Sequence, residues 1–255
     1  MLRLNIIRIL LVIFLHLLVS CVTVSSDKRS DKEKASDYVS LGAEYFQHGR
    51  LEPALQYLKK AVQYDKKSYP ANALLALVYE QLGRYDEAGE YFRRAIDLVD
   101  TDSRDFGSIH NNYAAFLCSR GKVSDAASHF RIAFEHSLYA TPELALENGG
   151  LCFIRHDDLE SAEGYFREAL KRNGNLPRSL VSMAEISLKG EHFLAARAFM
   201  QRFLAIQTRP GAADLLLAVR IERAMGDDVS ARKFGQTLRQ QYPTSEEVKQ
   251  LAELY

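Results

Sequence analysis

What this sequence has little of narrows it quickly. Its 33 Lys and Arg are matched by 33 Asp and Glu, so no basic excess points to nucleic acid as a partner. Six Pro and 14 Gly in 255 residues exclude collagen-like and low-complexity chains. Three cysteines, Cys21, Cys118 and Cys152, are too few and too scattered for a disulfide framework or a zinc site. Tryptophan is absent, and no HExxH, GxSxG, phosphate-binding or dinucleotide glycine pattern occurs. The seven histidines stand apart from one another, and Asp86, Glu87 and Glu90 read as a solvated helix face. No catalytic group, cofactor, metal or small-molecule substrate is therefore expected. What is present is apolar residue, 47% of the chain, ample for a core.

The first 20 residues hold Arg3 and Arg8, no acidic residue, and an apolar run from Ile9 to Val19 broken only by His16. A basic start, a short apolar middle and small residues before a cut make a secretory signal. The run is short of the about 20 apolar residues a membrane-spanning helix needs. Leu18-Val19-Ser20-Cys21 resembles the bacterial lipoprotein box, in which the cysteine is lipidated and becomes the first mature residue. Each buried CH₂ adds about 0.8 kcal/mol to such an anchor. An uncleaved signal anchor, or an ordinary signal beside a chance cysteine, is the alternative. Val22 rather than Asp follows the cysteine, and by resemblance to bacterial lipoprotein sorting rules this points to the outer membrane, on its periplasmic face. Beyond the signal, 31 basic residues face 33 acidic ones. Val22–Lys34 is polar and charged without an apolar period, so residues 21–34 read as a lipidated N-terminus and flexible tether.

The chain beyond it repeats. In ANALLALVYEQLGRYDEAGEYFRRAI, Ala71–Ile96, two amphipathic helices meet at a glycine turn. The small residue Ala88 has counterparts at Ala54, Ala126, Ala162, Ala196 and Ala231, spaced 34, 38, 36, 34 and 35. Four residues after each stand Leu58, Phe92, Phe130, Phe166 and Met200, with Gly235 the exception. Three further on are Ala61, Ala95, Ala133, Ala169, Phe203 and Leu238. Glycine precedes the small residue by five at Gly49, Gly83, Gly121 and Gly226; Asp157 replaces it in the fourth unit, and in the fifth it slips to Gly190. This resembles the tetratricopeptide repeat, whose units stack because none buries its apolar face alone.

The expected fold is all-α: a right-handed α-solenoid of six such repeats, about 35–68, 69–102, 107–140, 143–176, 177–210 and 212–243, closed by a capping helix in 244–255. Thr244-x-x-Glu247 reads as that helix's capping box. The last two repeats, with Phe203 and Leu238 in place of a small residue, are expected to pack less regularly. Cys118 and Cys152 fall on the first helices of adjacent repeats. With helix axes 8–10 Å apart, buried free thiols are expected; a bridge in an oxidising compartment is the alternative.

First helices line the concave side of such a stack. Taking Leu75, Ala76 and Tyr79 as packing positions turns Leu77 and Glu80 toward the groove. The equivalents are Ala43 and Phe46, Ala115 and Cys118, and Leu151 and Ile154. This lining is more apolar than charged and suits an apolar or amphipathic segment of a protein partner. The same side chains would alternatively complete packing between repeats. Asn112 and Asn148 share one repeat position and would bond either a ligand backbone or the neighbouring repeat.

Two stretches go beyond the generic repeat. His110-Asn-Asn-Tyr-Ala-Ala-Phe-Leu-Cys118 and Leu146-Glu-Asn-Gly-Gly-Leu-Cys152 are similar to segments of the type IV pilus biogenesis and stability lipoproteins, the PilF/PilW-type pilotins. That family's plan is a lipoprotein signal followed by six repeats in about this length; Ala114–Ala115 and Gly149 depart from its usual residues. The resemblance implies an outer-membrane lipoprotein, monomeric, that binds a secretin subunit and assists the ring's localisation and oligomerisation. Another envelope scaffold, for instance one organising cell-wall synthesis enzymes, shares the signal and the repeats but not these stretches.

Overall fold

The computed structural model describes residues 29–254; the signal stretch and Cys21 lie outside them. Among the described residues there are thirteen helices and no strand. Twelve form pairs: α1 (Asp31–Gln47) with α2 (Leu51–Tyr64), α3 (Tyr69–Gln81) with α4 (Tyr85–Leu98), α5 (Phe106–Ser119) with α6 (Val123–Glu135), α7 (Pro142–Arg155) with α8 (Leu159–Arg172), α9 (Pro177–Lys189) with α10 (Phe193–Ile206), and α11 (Ala212–Ala224) with α12 (Asp228–Gln241). The thirteenth, α13 (Glu246–Glu253), rests on α11 and α12. First helices touch one another across repeats, as α1 with α3, α5 with α7 and α7 with α9, whereas second helices pack chiefly on first helices. The first helices therefore form the inner row of a curved solenoid.

The repeated small residue is what lets each pair close. Ala54, Ala88, Ala126, Ala162, Ala196 and Ala231 are all fully buried, and Leu58, Phe92, Phe130, Phe166 and Met200 fill the space beside them. In the last repeat that space is left by Gly235, and Leu251 of α13 enters it, approaching within van der Waals distance of a Cβ placed at Gly235. The cap thus completes the sixth repeat by supplying its missing large side chain. Phe203 and Leu238 are buried like the alanines they replace.

The turns correct one expectation. Gly49, Gly83, Gly121 and Gly226 adopt left-handed φ near +70°, and the fourth repeat places Asp157 there at 60°. In the fifth it is Glu191, at φ 59°, that takes the left-handed position, while Gly190 keeps an ordinary −83° as the C-cap of α9. The turn register does not slip. A side chain in this region costs roughly 1–2 kcal/mol, which the packing on both sides of the turn outweighs.

Two helix starts also differ. α1 begins at Asp31, inside the stretch expected to be tether. Ser30 Oγ accepts from the Glu33 backbone N–H at 3.2 Å, and the Glu33 carboxylate accepts from the Ser30 N–H at 2.6 Å. The reciprocal pair satisfies two otherwise orphaned donors and pulls four charged residues into the helix. At the other end, α13 starts after Ser245, not Thr244. Glu247 falls one residue early for a capping box, and none forms.

Candidate protein-binding groove

Of the expected groove residues, Phe46 and Leu77 are half-buried and pack on the core shared by repeats 1–4. Leu151 and Ile154 do the same on the core of repeats 4–6. Glu80 is half-buried, and burial pushes its carboxyl above the usual carboxylate range. Ala115 is exposed, leaving open backbone surface on the inner row of repeat 3. Asn112 is half-buried, and Asn148 donates through Nδ2 to Asn111 Oδ1 of the preceding repeat at 3.1 Å. Asn148 therefore serves the inter-repeat bond.

Cys118, counted as groove lining, is buried and bonded to Cys152. The two thiols are not free. Axis separation alone does not exclude a bridge, because Cα atoms on facing sides of two helices stand about 2.3 Å inward from each axis. Facing residues on helices 8–10 Å apart thus come within bridging range, and here the Cα–Cα distance is 5.9 Å.

The same region carries a polar cluster that the sequence hid. His110 Nδ1 and His129 Nδ1 share a hydrogen bond of 2.8 Å, and Phe106 packs against both His110 and His136. His136 Nε2–H donates to the Thr101 carbonyl at 2.7 Å. His110 Nε2 and His136 Nδ1 are buried and find no hydrogen-bond partner among the described residues. Nothing in the histidines' spacing announces the cluster, since α5, α6 and the loops at Thr101 and His136 bring it together.

Burial, reinforced by His129 and His136, lowers the His110 pKa from 6.5 to about 4. His129 is lowered by burial too, partly opposed by Asp125. A depressed histidine pKa means that the unfolded chain gains its proton first as pH falls. The stabilisation is intact above pH 6.5 and is lost between 6.5 and 4, by about 2–3 kcal/mol from His110. Urea midpoints at pH 7 and 4.5 should show that loss, and His110→Gln should shrink it. An equal loss in the variant would assign the acid sensitivity elsewhere.

The stretch Glu147–Cys152 is tied to its neighbours residue by residue. Buried Glu147 accepts from the Ser179 backbone N–H at 3.1 Å and from Ser179 Oγ at 2.7 Å, capping the start of α9. Asn148 reaches back to repeat 3. A Cβ at Gly149 would lie 2.4 Å from the Tyr165 ring, and one at Gly150 2.7 Å from Phe166. Cys152 bonds Cys118. Repeats 3, 4 and 5 are thus locked to one another around α7, which fixes the curvature of the inner face.

Clefts on that face cluster toward the C-terminal repeats. One of about 320 Å³ is lined by Leu151, Val181 and Phe203. A second, about 300 Å³, adjoins it through Val181 and Asp214 and is closed by Glu247 and Gln250 of α13, with Arg220 donating to Gln250 at 3.1 Å. At the other end, Ser36, Val39, Tyr69 and Pro70 line about 260 Å³ between the first two repeats. An elongated inner face whose clefts mix apolar and polar side chains can hold an extended or helical peptide segment.

Paired helices, buried small residues and left-handed turns in this register define a tetratricopeptide-repeat protein, and tetratricopeptide repeat models match residues 45–108 and 118–177. Among curated relatives, the type IV pilus assembly protein PilF of Pseudomonas aeruginosa is 30% identical over 239 residues, spanning 91% of this chain and 92% of that protein. The chain belongs to the PilF-type family of tetratricopeptide proteins of type IV pilus biogenesis. The solved structure of Pseudomonas aeruginosa PilF superimposes with a TM-score of 0.76 at 29% identity, covering 88% of this chain and 99% of that one. That of PilW, described as a widely conserved type IV pilus biogenesis factor, gives 0.74 at 26% identity, covering 86% and 98%.

Proposed function

We propose that this protein is a pilotin: a scaffold anchored to the outer membrane through lipidated Cys21, whose inner face holds a segment of a secretin subunit until the ring assembles. The observation that carries this reading is the match to PilF across nearly the whole of both chains. The lipoprotein-like Leu18–Cys21 supports the anchor, although it lies outside the described residues. The partner segment is apolar or amphipathic, because Phe46, Leu77, Leu151 and Ile154 present partly open apolar surface along the inner row. The scaffold acts by holding, and its rigid centre keeps the groove in one shape, which reduces the ordering cost of binding.

Deletion of the gene tests this. Surface pili and detergent-resistant secretin multimers should both fall, wild type should restore both, and Cys21→Ala should restore them poorly while leaving the outer-membrane fraction. Normal pili and multimers in the deletion strain would remove the pilotin reading.

A further inference from the structure

The bond between Cys118 and Cys152 has a third neighbour. His156 follows Cys152 by four residues, at the C-cap of α7, so its ring lies one turn further along the same face. One ligand atom from each of Cys118, Cys152 and His156 lies within 4.8 Å of the other two. The sulfurs are buried and His156 is exposed. His156 Nε2–H donates to the Cys118 carbonyl at 3.2 Å. A hydrogen bond from one ring nitrogen to a main-chain carbonyl leaves the other as an unprotonated donor, the arrangement usual for metal-bound histidine.

We propose that, once the disulfide is opened, Cys118, Cys152 and His156 form a three-ligand site for zinc. Opening takes two electrons and two protons from a dithiol, whose own two S–H groups become a disulfide; zinc then displaces the two thiol protons. Two thiolates and one imidazole are a zinc donor set, and the exposed side at His156 leaves the fourth position to water. A tetrahedron with metal–sulfur arms of 2.3 Å puts its sulfurs about 3.8 Å apart, a small parting for two side chains on neighbouring helices. The ion would bridge α5 and α7 where the disulfide does. The junction of repeats 3 and 4 is then clamped in either redox state, by a covalent bond or by a metal, and the two clamps exclude each other. Sequence separation concealed this site: Cys118 stands 34 residues before Cys152, and only stacking brings them together.

The test uses the full chain carrying Cys21→Ser, so that Cys118 and Cys152 are the only thiols. Zinc is present while a dithiol reduces the protein, so that a fold dependent on the metal is still counted, and both are then removed by desalting. The reduced chain should retain one zinc, its thiols should resist alkylation, and the oxidised chain should retain none. His156→Ala, at an exposed position, should keep its helicity and lose about tenfold or more in zinc affinity. No zinc on the reduced chain, or equal affinity in the helical His156→Ala variant, overturns the proposal.

Discussion

Replacing Cys118 and Cys152 by Ala should lower stability by about 3–4 kcal/mol. The bridge closes a loop across 34 residues, and the entropy removed from an unfolded chain by a loop of that length is worth about that much at 25 °C. The location adds to the effect. A solenoid repeat contacts only its neighbours, so the bond between α5 and α7 is the covalent tie between two halves that otherwise meet through local packing and a few side-chain hydrogen bonds, such as those of Asn148 to Asn111 and His156 to the Cys118 carbonyl. Urea unfolding of oxidised wild type against the double variant measures it, and the variant's transition should broaden as the halves uncouple. Coincident curves would mean that the native protein does not hold this bond.

Phe166→Ala should cost about 3–5 kcal/mol, the range for emptying a fully buried aromatic site. Phe166 is wholly inaccessible and lies on Gly150, so the backbone of α7 approaches α8 as closely as a ring allows. That contact makes the effect of a neighbour change sign. In wild type, Gly150→Ala places a methyl 2.7 Å from the ring and should destabilise by about 1–2 kcal/mol, overpacking outweighing the better helix propensity of Ala. In the Phe166→Ala background the same substitution enters vacant space and should become neutral or stabilising. A double-mutant cycle by thermal or urea unfolding reads this directly. Independent, additive effects would show that the helices are not in contact there.

The small-residue register of Ala54 to Ala231 makes the helix pairs and their order readable in the sequence, because burial at a fixed period leaves a composition signal. The capping helix is read separately, from Thr244 and Glu247, and forms one residue later without that box. Glu191 shows where that signal ends. Glycine marks a left-handed turn only when glycine occupies it, so a turn held by surrounding packing drew attention to Gly190 beside it. The start of α1 was hidden for a similar reason: the tie between Ser30 and Glu33 is local polar chemistry inside a stretch without apolar period.

The groove was less legible. Position in the repeat selected Phe46, Leu77, Ala115, Leu151 and Ile154, but the same period serves both packing and lining. Cys118 and Asn148 occupy inner-row helices and are spent on the neighbouring repeat. The stretch Glu147–Cys152, part of one of the two stretches that carry the family resemblance, is used, Leu151 apart, to lock α7 to α5, α8 and α9. Those residues identify the protein by its architecture, and the partner must be met by side chains around them.

Ala115 offers the most direct test, because it is exposed on the inner row of repeat 3. Ala115→Arg should keep wild-type helicity and melting while its long charged side chain blocks the groove. Capture of the secretin subunit from a detergent extract by the purified, folded variant should fall about tenfold or more relative to wild type, a loss of about 1.4 kcal/mol or greater. Equal capture by the two proteins, or none by wild type, would contradict a secretin-holding groove on this face.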